Sequence, residues 1–403
     1  MSLSRGFMYS AIPSSEAMLG AHGPYGRSST TLKTFSLITI SVSLLFFWFW
    51  LFLETPYEAA SLGKAIHLSQ QKDVLDKSKI FVVSLPRRHD RRAQMEYLRS
   101  FLGLQWTYWD AVEADDERIS TILDKVHSIR SEAANLSIDT ISERIRLPFR
   151  WPSNVDTLAR SNISLAAAEA LFWISPPSSP PSEQNASRPP LTCAIADFTI
   201  LPYDADLPEH KILNAPRVAC WESHLSVIKE IAGLEKDTFG VILEDDVDLE
   251  KDIRSRLDRV WSYLPDDWDM VYLGRSRSSS SGLLYSHITT GHCWGNETYY
   301  PALTPFTSPN ESQLHPSKKP KCTHAYAVSP IGARRLLLYL THPPFAYSRA
   351  IDQAYAWLIK TERIKSFSLV PSVAVQTKND LSDISQEKLS VWKETLIDGV
   401  FEI

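Results

Sequence analysis

A short apolar strand that runs directly into three consecutive carboxylates is the feature that most constrains this chain. Residues 239–243 read Phe-Gly-Val-Ile-Leu, and Glu244, Asp245 and Asp246 follow at once. A strand buried on both faces of an α/β sheet is a near-continuous apolar run, and ligands gather at the carboxyl ends of such strands. Adjacent carboxylates raise one another's pKa unless a positive charge lies among them, and their hard oxygens suit Mg²⁺ or Mn²⁺. The pattern alone leaves two interpretations open, a metal site and an acidic turn that opens a helix, and the rest of the chain favours the metal site.

The segments around this strand alternate between strand-like and helix-like patterns. Strands are predicted at 80–85, 106–111, 238–243 and 268–273, and helices after Asp90 and over 217–231 and 251–263. Such β-α-β alternation predicts an α/β fold, with a mostly parallel sheet flanked by helices. Residues 113–215 fit the alternation poorly and are interpreted as an insertion. Its Pro- and Ser-rich part, 174–190, has the composition of a loop.

The first part of the chain predicts a membrane anchor. Residues 34–53 carry no charge, and twenty residues at about 1.5 Å each span roughly 30 Å, the hydrocarbon thickness of a bilayer. Basic residues precede this segment and acidic residues follow it, which predicts a cytoplasmic tail at 1–33. A stem at 54–78 and a lumenal domain at 79–403 then follow. A cleaved signal peptide is the competing interpretation, but its apolar region is usually shorter, about 7–15 residues.

Glycosylation sequons and cysteines agree with a lumenal body. Five of the eight asparagines stand in Asn-x-Ser/Thr sequons, at Asn135, Asn162, Asn185, Asn296 and Asn310, all beyond the apolar segment. The four cysteines permit disulfides in that compartment, and Cys293 with Cys322 is the favoured pair. The net charge of -5 and the pI near 6.1 give no basic surface for nucleic acid.

Further candidate residues follow the other predicted strands. Four arginines lie between the first strand and its helix, and Arg87, Arg91 and Arg92 are candidates to bind a diphosphate, since guanidinium groups match phosphate oxygens. A solvated helix start is the alternative. Asp110 ends the second strand, and His324 is a candidate third metal ligand.

Two more residues have competing interpretations. His224 is interpreted first as a structural hydrogen-bonding residue rather than a catalyst. Asp352 begins a predicted helix, where a cap is the structural alternative to a functional carboxylate.

The order of these pieces resembles glycosyltransferase family 25, which includes lipopolysaccharide and collagen galactosyltransferases. The motifs are L-P-R-R-x-D-R at 85–91, W-D-A at 109–111, C-x-x-S-H at 220–224, L-E-D-D at 243–246, D-W-D-x-x-Y-L-G at 267–274, T-H-A-Y-x-x-S at 323–329, I-D-Q at 351–353 and S-D-I at 382–384. E-D-D alone is common, so the resemblance rests on eight motifs in order across most of 79–385. Pro216 and Arg217 stand where the family often has Gly-Glu, which leaves any contact of that glutamate without a counterpart here.

The resemblance implies a GT-A-like (Rossmann-like) fold, a UDP-sugar donor, most often UDP-galactose, Mn²⁺ (or Mg²⁺), and inversion at the anomeric carbon. Glu244 and Asp246 are then the expected metal ligands, and Asp245 is expected at the ribose or behind the ligands. Asp110 is a candidate for the nucleoside. The catalytic base is expected to be Asp352, with Asp383 as second candidate. The acceptor, a glycan or glycoprotein hydroxyl, does not carry over from the family.

Two other classes of function remain open. One is a non-catalytic sugar- or nucleotide-binding protein, or an adhesion protein, on the same fold. The other is a metal-dependent phosphohydrolase, which needs two metals about 3.5–4 Å apart and hence a second ligand cluster. A single-pass type II protein of the Golgi or endoplasmic reticulum is the expected localisation.

Overall fold

The computed structural model describes residues 73–136, 145–146, 149–161, 163, 165, 172–173, 188–274, 300–343, 345–377 and 396–401. All of them belong to one compact unit, 72–403. The predicted anchor at 34–53 lies outside these ranges. Within them, no helix is long and apolar enough to cross a membrane.

A seven-stranded sheet forms the centre of this unit. In chain order the described strands are β1 (Ser78–Ser84), β2 (Trp106–Asp110), β3 (Ile145–Arg146), β4 (Leu191–Thr192), β5 (Thr199–Ile200), β6 (Ile212–Leu213), β7 (Phe239–Glu244), β8 (Val247–Leu249), β9 (Met270–Tyr272), β10 (Gln313–Pro316), β11 (Ala325–Val328), β12 (Ser366–Val370) and β13 (Ala374–Gln376). The strand order in the sheet is β10-β12-β9-β11-β7-β1-β2, and β13 pairs separately with β8. The predicted Rossmann-like α/β architecture is confirmed.

The prediction of a mostly parallel sheet is wrong. β1 pairs in parallel with β2 and β7, and β9 with β12, whereas β11 is antiparallel to both of its neighbours and β10 is antiparallel to β12. A parallel crossover needs a long connection, usually a helix, and strand direction leaves no trace in an apolar run. The sequence pattern alone therefore did not reveal that β11 is reversed between β7 and β9.

Helices cover both faces of the sheet. They are α1 (His89–Leu102), α2 (Glu117–Leu136), α3 (Val155–Arg160), α4 (Ala215–Ile231), α5 (Ile253–Trp261), α6 (Pro330–Leu340) and α7 (Ile351–Lys360). Alternate strand residues face opposite ways, so Val82 of β1 joins the core formed with α1 and α5, whereas Phe81 joins the core formed with α2, α4, α6 and α7. The near-continuous apolar strands follow from this double burial.

Local sequence sets several helix ends. Asn214 caps α4 by accepting a bond from the Arg217 N–H (3.2 Å), and Ser329 caps α6 by accepting one from the Gly332 N–H (3.0 Å). Arg88 is the N-cap of α1 and makes no side-chain capping bond, so Asp90 lies in the first turn instead of capping it. Asp352 likewise lies in the first turn of α7, after the N-cap Ala350.

Parts of the predicted insertion and stem are integral to the unit. Ile119 and Ile122 of α2 are fully buried in the core that includes α4. A 3₁₀ helix at Val74–Lys77 precedes β1, and the Val74 N–H donates to Asp258 on α5 (2.8 Å). The Pro-rich segment 174–187 lies outside the described residues.

The cysteines divide into two kinds. Cys322 is disulfide-bonded, whereas Cys193 and Cys220 are free thiols. Cys293, its favoured partner from the sequence, lies outside the described residues.

Candidate active site

The ends of four strands meet at one edge of the sheet. The register places Ser84 opposite Asp110 and Val83 opposite Glu244. The backbone N–H of Glu244 donates to the carbonyl of His324 (2.8 Å), which brings the start of the antiparallel β11 to the same edge. Asp110, Glu244 and His324 therefore lie along the carboxyl-terminal edge of the parallel strands, where ligands of such sheets bind.

Glu244 is held in place by two side chains that both contact one of its oxygens. The Thr323 hydroxyl donates to Oε1 (2.6 Å), and Nε2 of His224 lies 3.3 Å from the same atom. Burial acts to raise the pKa of Glu244, but the hydrogen bond and charge of His224, with the bond from Thr323, bring that pKa below its ordinary value. Both of these side chains contact Oε1, so neither of them holds the second oxygen, Oε2.

Asp245 and Asp246 share the guanidinium of Arg91. Nη1 of Arg91 lies 2.9 Å from Oδ1 of Asp245 and 3.2 Å from Oδ2 of Asp246. Gln376 also donates to Oδ2 of Asp246 (3.1 Å), and the Thr377 N–H donates to the Asp246 carbonyl (2.6 Å). The turn that carries both acids is therefore fastened to α1 and to the end of β13.

The other oxygen of Asp246 is buried without a hydrogen-bond partner. Burial, followed by the charges of Glu244 and Asp245, raises the pKa of Asp246 to about 7, although Arg91 and Gln376 act in the opposite direction. Buried polar atoms are nearly always satisfied, so an orphaned carboxylate oxygen between two other acids calls for a positive partner. A divalent cation is such a partner, and the donor set consists of the hard oxygens that Mg²⁺ and Mn²⁺ prefer.

The geometry fits a cation held by few protein ligands. In the ranges that the structure describes, no group of three or more His, Cys, Asp or Glu residues is arranged as a metal site. Mg²⁺ sites on phosphate substrates commonly use one or two carboxylates and complete the shell with phosphate oxygens and water. Two carboxylates match that number of ligands, and the assignment of Glu244 and Asp246, with His324 as third ligand, stays a prediction.

Gly274 determines where the His324 ring lies. A Cβ atom at position 274 would overlap Nε2 of His324 and would lie 3.0 Å from the Ala374 carbonyl. Only glycine leaves room for this ring at the end of β9. The two residues are fifty positions apart, so no pattern along the chain indicates this contact.

The predicted phosphate-binding arginines occupy different places. Arg91 contacts the acidic turn, as described. Arg92 donates to Asp110 (2.6 Å) and to the Ser84 carbonyl (3.1 Å), and Arg87 lies 3.1 Å from Glu113. The structure thus brings Arg91 and Asp245 together with Asp246, and it pairs Arg92 with Asp110 at the end of β2, two strands from β7.

Asp352 lies within electrostatic reach of Glu244. Burial raises the pKa of Asp352, Lys321 and Arg217 act to lower it, and the charge of Glu244 raises it further. Asp352 retains partial exposure. The charge of a candidate metal ligand therefore acts on the candidate base. Asp383, the second candidate base, lies outside the described residues.

Several residues of the site were missed from the sequence. Thr323 and Gln376 each bond a predicted metal ligand, and Lys321 acts on Asp352. No spacing signal identifies them, because each meets its partner through strand order rather than along the chain. Thr323 stands next to His324 in the T-H-A-Y motif, which was the one available hint.

The model of glycosyltransferase family 25 (LPS biosynthesis protein) matches residues 199–353. Over these residues the chain is similar to glycosyltransferase family 25. No curated protein matches the chain. The resemblance seen in the motifs is confirmed, and the match supports glycosyltransferase activity with a sugar donor and an acceptor.

Residues 199–353 contain most of the acidic edge, by which we mean the carboxylates and His324 at the carboxyl-terminal ends of the parallel strands. Glu244, Asp246, His324 and Asp352 fall inside the matched residues. Arg91, which holds the acidic turn, comes from outside them, on α1. The site therefore joins the matched residues to the first strand-helix unit of the fold.

Proposed function

We propose that this chain is a metal-dependent inverting hexosyltransferase that moves a hexose, with galactose as the first candidate, from a UDP-sugar to a glycan or glycoprotein hydroxyl. The observation that carries the proposal is the orphaned, buried Oδ1 of Asp246, which lies beside Glu244 and Asp245 where the parallel strand β7 ends. A carboxylate in that condition is accounted for by a cation that arrives with the substrate.

Glu244 and Asp246 would hold Mn²⁺ or Mg²⁺, with His324 as third ligand. When bound, the metal neutralises the negative charge that develops on the departing diphosphate. Oε2 of Glu244 is the oxygen that would bind the metal, since Thr323 and His224 both contact Oε1. Oδ1 of Asp246 is its counterpart on the turn.

The basic and remaining acidic residues would orient the donor. Asp245 is held by Arg91, which favours a supporting role behind the metal ligands over a direct contact with the ribose. Asp110 is largely exposed beside Arg92 and is proposed to contact the nucleoside. Arg87, more than half exposed, is the arginine best placed to reach out to phosphate.

Asp352 is proposed as the base that accepts the proton of the acceptor hydroxyl. Its burial disfavours the ionised form, which makes the carboxylate a stronger base than an exposed aspartate. Partial exposure leaves it accessible to an acceptor. Asp383 is the alternative base.

Localisation and membrane attachment are part of the proposal. The uncharged segment 34–53 would anchor the chain as a type II protein of the Golgi or endoplasmic reticulum. Five sequons beyond that segment, including the exposed Asn310, support a lumenal catalytic part.

The test is UDP release by the purified full chain from a panel of UDP-sugars, with Mn²⁺ or with a chelator, beside Asp246→Ala. Metal-dependent release from one sugar, lost in Asp246→Ala, supports the proposal and names the donor. Mn²⁺-dependent UDP binding without release in the presence of glycan and glycoprotein acceptors favours a non-catalytic binding protein. Absence of both UDP binding and UDP release would contradict the proposed metal site.

A further inference from the structure

A buried chain of polar side chains leads from the acidic edge into the core. Nε2 of His224 lies 3.3 Å from Oε1 of Glu244, and Nδ1 of His224 lies 2.9 Å from the Tyr326 hydroxyl. The Tyr326 hydroxyl lies 3.2 Å from the hydroxyl of Tyr355. His224, Tyr326 and Tyr355 are each at most 1% exposed. Burial of three polar groups in a row is costly unless each one is paired, and here each one is.

The chain fixes the orientation of the His224 ring. A carboxylate oxygen accepts, so Nε2 of His224 is the donor towards Glu244. Nδ1, the other ring nitrogen, is engaged by the Tyr326 hydroxyl, which the Tyr355 hydroxyl contacts in turn. The two tyrosines therefore hold the ring so that Nε2 faces the carboxylate.

The four residues come from four different elements. Glu244 ends β7, His224 lies on α4, Tyr326 lies on β11 and Tyr355 lies on α7. Asp352 is three residues before Tyr355, and residues at that spacing share a helix face. The chain therefore connects the helix of the candidate base to a candidate metal ligand.

We infer that His224 is a positioning residue, which together with Tyr326 and Tyr355 fixes the Glu244 carboxylate so that Oε2 is presented to the metal. The inference rests on the proposed function. His224 contacts no substrate and transfers no proton in this role. Metal ligands in other proteins are oriented by hydrogen-bond partners in the same way. Loss of such a partner typically reduces metal affinity about 10–100-fold.

The test measures the Mn²⁺ dissociation constant of the full chain by calorimetry, and the melting temperature without metal. His224→Leu removes the donor to Glu244, whereas His224→Gln keeps an amide N–H on that side. Tyr326→Phe removes the hydroxyl that holds Nδ1 of the ring. Tyr272→Phe is the matched control, because the Tyr272 ring packs beside Tyr326 (centroids 6.3 Å apart) but its hydroxyl is not in the chain.

We expect His224→Leu to weaken Mn²⁺ binding about 10–100-fold. His224→Gln should recover part of that loss, Tyr326→Phe should show a smaller loss, and Tyr272→Phe should match the wild type. A lower melting temperature with an unchanged Mn²⁺ dissociation constant in His224→Leu would overturn the inference and leave the proposed function standing. Absence of Mn²⁺ binding in the wild type would instead overturn the proposed metal site and this inference together.

Discussion

Gly274 packs directly against the imidazole of His324. The two residues lie fifty positions apart and meet at the ends of the adjacent strands β9 and β11. We expect Gly274→Ala to displace the ring, because the added methyl group would occupy the space of Nε2. If His324 is the third ligand, Mn²⁺ affinity should fall about tenfold or more. A Mn²⁺ titration of the full chain measures this.

Gly233→Ala is the control for Gly274→Ala. A Cβ there would have its nearest neighbour at 3.5 Å, the Glu230 carbonyl, which is an ordinary contact. Unchanged Mn²⁺ affinity in both variants would show that His324 is not a ligand.

Asp246→Asn should stabilise the metal-free protein while it abolishes metal binding. The folded-state pKa of Asp246, about 7, lies above that of an unfolded aspartate. The folded protein thus holds this proton more tightly, and the stability that Asp246 contributes is present at low pH and is lost as the pH rises to about 7. Relief of the buried charge should increase the free energy of unfolding at pH 8 by about 1–3 kcal/mol.

Urea unfolding with a chelator measures this difference, which should shrink towards pH 5. Asp116→Asn is a control of opposite sign, because its hydrogen bond to Arg118 lowers the pKa of Asp116 to about 2. A destabilised Asp246→Asn at pH 8 would contradict the electrostatic account of the turn.

Asp352→Asn should reduce turnover about 10²–10⁴-fold with UDP-sugar binding retained. A base works when ionised, so kcat should fall as the pH drops through the raised pKa of Asp352, at a higher pH than for an exposed aspartate. Lys321→Met removes a charge that lowers this pKa and should move that limb to still higher pH. Equal losses of donor binding and turnover in Asp352→Asn would exclude the assignment.

Arg91→Met should destabilise the metal-free protein because it leaves Asp245 and Asp246 without their shared cation. Loss of one partner from a buried ion pair typically costs about 3–5 kcal/mol. Saturating Mn²⁺ should recover part of that loss, since the metal replaces the positive charge. Thermal unfolding with and without Mn²⁺ measures both effects.

Arg118→Met is the surface control for Arg91→Met. Its ion pair with Asp116 is half exposed and should contribute about 1 kcal/mol or less. Equal destabilisation of the two variants, unaffected by Mn²⁺, would show that Arg91 does not serve the acidic turn in particular.

The sequence predicted features that lie within one short segment, but it did not predict contacts between segments that are far apart in the chain. The apolar run of β7 and the acids that follow it were correctly placed at a sheet edge, since one short segment carries both signals. The direction of β11 was missed because an apolar run has no polarity. The contact between Gln376 and Asp246 spans 130 positions and depends on β13 folding back onto β8.

His224 shows a different limit of prediction. Helix α4 is buried along much of its length, so its residues carry little amphipathic pattern. A histidine on such a helix is indistinguishable by type from a core hydrogen-bonding residue, which was the preferred interpretation. The structure agrees that His224 forms buried hydrogen bonds, and its partner Glu244 gives those bonds a candidate purpose.

If Glu244 binds the proposed metal, the reversed strand β11 also makes metal binding a measure of correct strand pairing. Ala325 pairs with Leu243, and the Glu244 N–H bonds the His324 carbonyl in the same ladder. A slip of one residue would turn every β11 side chain to the other face and carry His324 and Tyr326 away from Glu244. Such a molecule would remain compact, so Mn²⁺ affinity would separate native from misregistered protein where size or helix content would not.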